Sequence, residues 1–93
     1  PGMILSNEPG YYKENEYGIR TENLVVIKEN NNKKLYFENI SWCPIDLDLI
    51  DSSMLDQSEK HWLNKYHKKV YDTLEMYLEN KEKDWLKEVT YEL

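Results

Sequence analysis

Two carboxylates stand out by their surroundings. Glu8 lies in Ser6-Asn7-Glu8-Pro9-Gly10-Tyr11-Tyr12 and Glu22 in Tyr17-Gly18-Ile19-Arg20-Thr21-Glu22-Asn23, both next to apolar, strand-like runs. They are fourteen residues apart, and their midpoint, Asn15, falls in the polar stretch Lys13-Glu14-Asn15-Glu16, which reads as a turn. An antiparallel hairpin folded about Asn15 therefore sets Glu8 opposite Glu22. Directly opposed side chains have β-carbons roughly 4.5–5.5 Å apart, and like charges there repel. A bound cation removes that repulsion, and carboxylate oxygens suit hard or borderline divalent ions such as Mn²⁺, Mg²⁺ or Zn²⁺. The plainer alternative is a solvated hairpin in which Arg20, two residues from Glu22 on the same face, pairs with it.

The elements that must position this pair follow from pattern. Met3 to Ser6 is a first strand. Pro9 drives Glu8 toward extended geometry, and Pro9-Gly10 punctuates the chain as a bend or bulge, with Gly supplying unusual dihedrals. Ile19 to Glu29 is a second strand, with Gly18 helping to close the turn. Its period-two faces put Leu24 and Val26 with Glu22, and Val25 and Ile27 on the other side. The register about Asn15 pairs Ser6 with Leu24 and Ile4 with Val26. Both faces are thus apolar, and such a sheet needs cover on both. We expect that cover to come from further protein or a partner, and the chain to be a piece of something longer.

The Asn30-Asn31-Asn32 run marks a second turn, and Leu35 to Ile45 reads as a third strand ended by Pro44. Residues 46–55 form a connector. Asp56 with Glu59 three residues later opens a helix, whose stripe is Trp62, Tyr66, Val70, Leu74 and Tyr77/Leu78. Asn80-Lys81 breaks it, and a short helix from Asp84 to Thr90 presents Trp85, Leu86 and Val89. The fold class expected is α+β.

Ninety-three residues with 40% hydrophobic and 32% charged content describe one small folded unit. A net charge of -6 opposes nucleic-acid binding, which needs a basic patch. No run approaches the ~20 apolar residues of a membrane helix. The single cysteine, Cys43, is expected to be a small packing residue in a reducing compartment. His61 and His67 are six apart, on different helix faces, and read as surface or packing residues rather than a metal pair. The serines sit in no nucleophile turn.

The run from Glu8-Pro9-Gly10-Tyr11-Tyr12 to Gly18-Ile19-Arg20-Thr21-Glu22-Asn23 resembles the last stretch of the catalytic domain of Xaa-Pro aminopeptidases. These belong to the creatinase and methionine-aminopeptidase group with the pita-bread fold. Leu35 to Ile40 and Cys43-Pro44-Ile45 resemble the family's next strand. Leu49-Ile50-Asp51, Trp62-Leu63-Asn64-Lys65-Tyr66-His67 and Trp85-Leu86 resemble the C-terminal extension of its longer members. The likeness covers nearly the whole chain, in order.

The resemblance implies a site for two divalent ions, usually manganese, held by two Asp, one His and two Glu, of which only Glu8 and Glu22 fall here. Glu22 would bridge both ions. Glu8 would bind one and help to handle the proton of the attacking water, a catalytic role, with Arg20 supporting the site. The ions would activate water and polarise the scissile carbonyl. The reaction would remove the N-terminal residue from peptides with proline in second position. Residues 1–45 would be the closing strands of the catalytic domain and 46–93 a helical extension forming a cytoplasmic homodimer. Thr21 departs from the family's frequent Ile. With the other ligands missing, the 93 residues alone are expected to be inactive and to bind Mn²⁺ poorly. The alternative is a non-catalytic pita-bread module that keeps the fold for protein interaction.

Overall fold

The computed structural model describes residues 1–93. The chain divides into two compact units, Pro1–Trp42 and Cys43–Leu93.

The first unit holds five strands: β1 (Ile4–Asn7), β2 (Gly10–Lys13), β3 (Tyr17–Arg20), β4 (Asn23–Glu29) and β5 (Leu35–Asn39). β1, β4 and β5 form an antiparallel sheet in the order β1-β4-β5, and β2 and β3 form a hairpin. The single long second strand expected from sequence is broken at Thr21-Glu22, while the first ends at Asn7 and strand structure resumes at Gly10, beside the expected bend. The register is the one expected. Ile4 faces Val26 and Ser6 faces Leu24 in the sheet, while Gly10 faces Arg20 and Lys13 faces Tyr17 in the hairpin. Pro9-Gly10 interrupts the pairing without shifting it, because the Thr21 amide donates to the Pro9 carbonyl at 3.0 Å.

Both turns rest on asparagine. Asn15 takes φ +61°, a left-handed conformation that asparagine tolerates better than most residues. The Glu16 amide closes the turn onto the Lys13 carbonyl at 3.0 Å, and Lys13 pairs with Glu16 at 2.9 Å. In the second turn, Asn30 Oδ1 accepts from the amides of Asn32 and Lys34 at 2.9 and 3.0 Å. A short side chain thereby takes the place of ladder partners.

β5 stops at Asn39, six residues before the expected end at Ile45. The Ser41 hydroxyl ends the ladder: it accepts from the Leu24 amide at 2.8 Å and donates to Asn23 Oδ1 at 3.0 Å. A side chain has replaced the backbone acceptor that a longer strand would offer. Val25 is this unit's one buried apolar side chain, whereas Ile4 (60% exposed) and Phe37 (66%) stand open. Both faces of the sheet carry exposed apolar side chains, as expected, Ile4 and Leu24 on one and Leu5 and Phe37 on the other.

The second unit begins with two short 3₁₀ turns, Leu47–Leu49 and Ser52–Met54, each started by an aspartate that accepts from the amide two residues on. Helix α1 (Gln57–Leu74) opens with the expected reciprocal cap. The Glu59 amide donates to Asp56 Oδ1 at 2.8 Å, and the Asp56 amide donates to Glu59 Oε2 at 2.9 Å. These bonds satisfy two of the donors a helix start leaves open. They hold the Asp56 carboxyl below its ordinary pKa, the Glu59 amide first and the Ser58 hydroxyl second.

The buried stripe of α1 is rotated from the expected one. Leu63, Tyr66, His67 and Val70 are buried, while Trp62 is 57% exposed and stacks on Tyr66 at 5.5 Å. One residue turns a helix by about 100°, so an apolar pattern containing both Trp62 and Leu63 leaves the inward choice to packing. Chain extension at Leu78 ends the helical run, two residues ahead of the expected Asn80-Lys81 break. Helix α2 then spans Asn80–Val89, starting four residues earlier than expected. Glu79 and Glu82 repeat the Asp56/Glu59 device there, with the Glu79 amide donating to Glu82 Oε2 at 3.3 Å. α2 buries Leu86 and leaves Trp85 exposed. Cys43 is exposed rather than packed. No helix is long and apolar enough to cross a membrane.

Candidate metal centre

The candidate ligands sit where the two strand pairs meet. Asn7 pairs with Asn23 on one side and Gly10 with Arg20 on the other. Because the register is continuous, Glu8 falls opposite Glu22. With side chains alternating along extended chain, Glu8, Gly10 and Tyr12 share one face with Gly18, Arg20 and Glu22. Arg20 lies against the pair: one guanidinium nitrogen is 3.3 Å from Glu22 Oε2. Its pKa is raised, first by the Glu22 carboxylate, then by a hydrogen bond with the Tyr12 hydroxyl, with Glu8 acting in the same direction. Both carboxylates therefore bear on one guanidinium, in an exposed setting where an ion pair by itself contributes little to stability.

Tyr12 is the residue that the sequence reading missed. It pairs with Gly18, and its ring covers both Gly10 and Gly18. A β-carbon at Gly18 would stand 2.6 Å from the Tyr12 ring, and one at Gly10 would stand 2.7 Å from the Tyr12 hydroxyl. Neither glycine has a positive φ; Gly2 is the only one that does. The expected dihedral role of Gly10 and turn-closing role of Gly18 give way to another: absent side chains let Tyr12 lie flat and reach Arg20. The signal was available in the sequence, since the hairpin register already put Gly18 opposite Tyr12.

The donor chemistry fits part of a divalent-cation site. Two carboxylates at one register point offer only oxygen, which suits hard cations. No group of three or more His, Cys, Asp or Glu side chains is placed to hold a metal ion. The chain thus carries a pair of candidate ligands and not a complete coordination shell. The histidines stay out of it. His61 is exposed and His67 is buried in α1, a packing position as expected for one of the two classes considered.

Comparison with known proteins gives the family. The family described as "Metallopeptidase family M24" matches residues 1–29. "C-terminal region of peptidase_M24" matches residues 33–93. The chain belongs to the M24 metallopeptidase family, and most of it is that family's C-terminal region. Among curated relatives, a probable Xaa-Pro aminopeptidase P of Coprinopsis cinerea is 45% identical across 96% of this chain. Another from Fusarium vanettenii is 43% identical across 97%. The crystal structure of X-prolyl aminopeptidase from Caenorhabditis elegans, described as a cytosolic enzyme with a di-nuclear active site, is also similar. It superposes with a TM-score of 0.80 at 32% identity over 97% of this chain. The chain spans 16% of the length of each of these three proteins. The α+β class, antiparallel strands followed by helices, is that of the C-terminal part of the pita-bread fold.

Proposed function

We propose that the chain is the C-terminal part of a metal-dependent Xaa-Pro aminopeptidase, to which it contributes Glu8 and Glu22 as metal ligands. The observation that carries this reading is the register, which sets two carboxylates opposite each other in a member of a metallopeptidase family. The substrate would be a peptide with proline in second position, as the names of the relatives suggest. Two ions are proposed because the Caenorhabditis elegans relative is described as di-nuclear, and manganese because the motif resembles the manganese-using subgroup. Bound there, the ions would supply Lewis acidity toward water and the scissile carbonyl.

The chain's own residues would do the following. Glu22 would hold the ions through its carboxylate oxygens. Glu8 would share in holding the metal and would accept a proton at a carboxylate oxygen during the reaction. Arg20 donates to Glu22 and fixes its orientation, and Tyr12 in turn holds Arg20. Residues 1–45 are then the closing strands of the catalytic domain. Residues 46–93 are an extension through which a homodimer forms, its exposed Trp62, Tyr77 and Trp85 being suited to an interface. A cytoplasmic location is consistent with the cytosolic description of the relative.

The test is made in the full-length protein. Glu22→Gln should lower both bound metal and turnover of an Xaa-Pro peptide by more than the ~100-fold typical of losing an outer support. Unchanged metal content and activity would leave Glu22 a structural partner of Arg20. The 93 residues alone should show no turnover.

A further inference from the structure

Helix α1 grips the irregular segment that leads into it. The Ile45 amide donates to His67 Nε2 at 2.9 Å, and the Tyr66 hydroxyl donates to the Cys43 carbonyl at 2.6 Å. Cys43 and Ile45 belong to no strand or helix, so these side chains give their backbone groups the partners that a ladder would. His67 is 0% exposed, and its Nδ1 has no hydrogen-bond partner. A ring nitrogen that accepts an N–H carries no proton, so the ring is the neutral tautomer with its hydrogen on Nδ1. We propose that His67 is a pH-operated clasp: its neutral Nε2 docks residues 43–45 onto α1, and protonation at Nε2 releases them.

The chemistry is a single proton transfer from solvent. The Nε2 lone pair that accepted the Ile45 N–H takes the proton, which leaves two N–H groups facing each other. It also leaves a buried cation. The neighbours supply no counter-charge. On α1, Tyr66 uses its hydroxyl on Cys43, and Lys68 points to Asp72 at 2.8 Å. On the docked segment, Cys43, Asp46 and Asp48 are exposed, and the side chain that α2 buries is the apolar Leu86. Burial, the larger effect, pushes the His67 pKa below its ordinary 6.5 against a smaller raising effect of the Ile45 backbone, and no charged side chain acts on it. With the folded-state value depressed, the docking is at full strength above pH 6.5 and is lost as pH falls further.

The test is hydrogen–deuterium exchange of the full-length protein between pH 7.5 and 5.0, corrected for intrinsic exchange and read on peptides spanning residues 43–47. Protection of that segment should fall at least ~10-fold while the start of α1 stays protected, one pH unit being a factor of ten in protonation. His67→Gln keeps an accepting oxygen but cannot titrate, so its protection should be flat with pH. Tyr66→Phe should lower protection equally at every pH. Flat protection in the unaltered protein, or the same pH dependence in His67→Gln, would overturn the clasp. If His67→Gln fails to fold, the ring ¹⁵N shifts of His67 decide: Nδ1–H at pH 7.5 supports the clasp and Nε2–H refutes it.

Discussion

The two units of this molecule reach order by different routes. In Pro1–Trp42 the backbone ladder does most of the work: the β1–β4 and β2–β3 pairings keep one register about Asn15, β4–β5 follows its own about the Asn30 turn, and Val25 is the only buried apolar side chain. In Cys43–Leu93 burial does the work, with Leu47, Leu63, Tyr66, His67, Val70 and Leu86 forming a small core. The candidate ligands lie in the unit without a core. Their relative placement therefore depends on strand register and on the Tyr12–Arg20 contact rather than on packing. A site can be placed by local geometry in a segment whose apolar side chains are mostly exposed.

Changes aimed at one unit should spare the other. The largest effect expected is Leu86→Ala, which removes a side chain 1% exposed and should destabilise the helical unit by about 2–5 kcal/mol. Ile4→Ala, at a position 60% exposed, should stay within about 0.5 kcal/mol in the same 93 residues. Urea unfolding of both variants checks the contrast, and equal costs would erase it. Next comes Gly18→Ala in the full-length protein. A β-carbon 2.6 Å from the Tyr12 ring displaces that ring from Arg20, and activity should drop about 10–100-fold. Tyr12→Phe should share the loss of activity without the steric cause, and turnover of an Xaa-Pro peptide measures both.

Asn15→Val places a β-branched residue at φ +61° and should cost the hairpin about 1–2 kcal/mol, whereas Asn15→Gly should be tolerated. Amide exchange of β2 and β3 reads the difference, and a stable valine variant would show that the turn does not set the register. The smallest effect is expected from Asp56→Ala, which should loosen only the first turn of α1, seen as faster exchange at residues 57–60. Its pH signature has a definite sign. The Asp56 carboxyl is depressed below 3.8, so its support for the helix is complete above that pH and fades as pH falls further.

Much of the candidate centre was legible from residue types and spacing. The symmetry of Glu8 and Glu22 about Asn15 identifies the register, because a hairpin turn constrains every pair beyond it. The Asp56/Glu59 cap was equally open to reading, being complete within four residues. Two other elements were not. β5 is shorter than its apolar pattern because the Ser41 hydroxyl, seventeen residues from Leu24, takes the Leu24 amide. α2 starts early because Glu79 and Glu82 repeat a cap that reads less clearly than one opened by aspartate.

The amino-acid sequence by itself determined the register that opposes the carboxylates, the turns and the start of α1, since each depends on residues that are neighbours along the chain or symmetric about one bend. Only the tertiary structure decided that Tyr12 lies over two glycines, that Trp62 turns outward while His67 turns inward, and that Ile45 ends on a histidine nitrogen. Those outcomes depend on which surface meets which. Periodicity names a helix face only to within one residue's rotation, and burial selects among the candidates according to what packs against them.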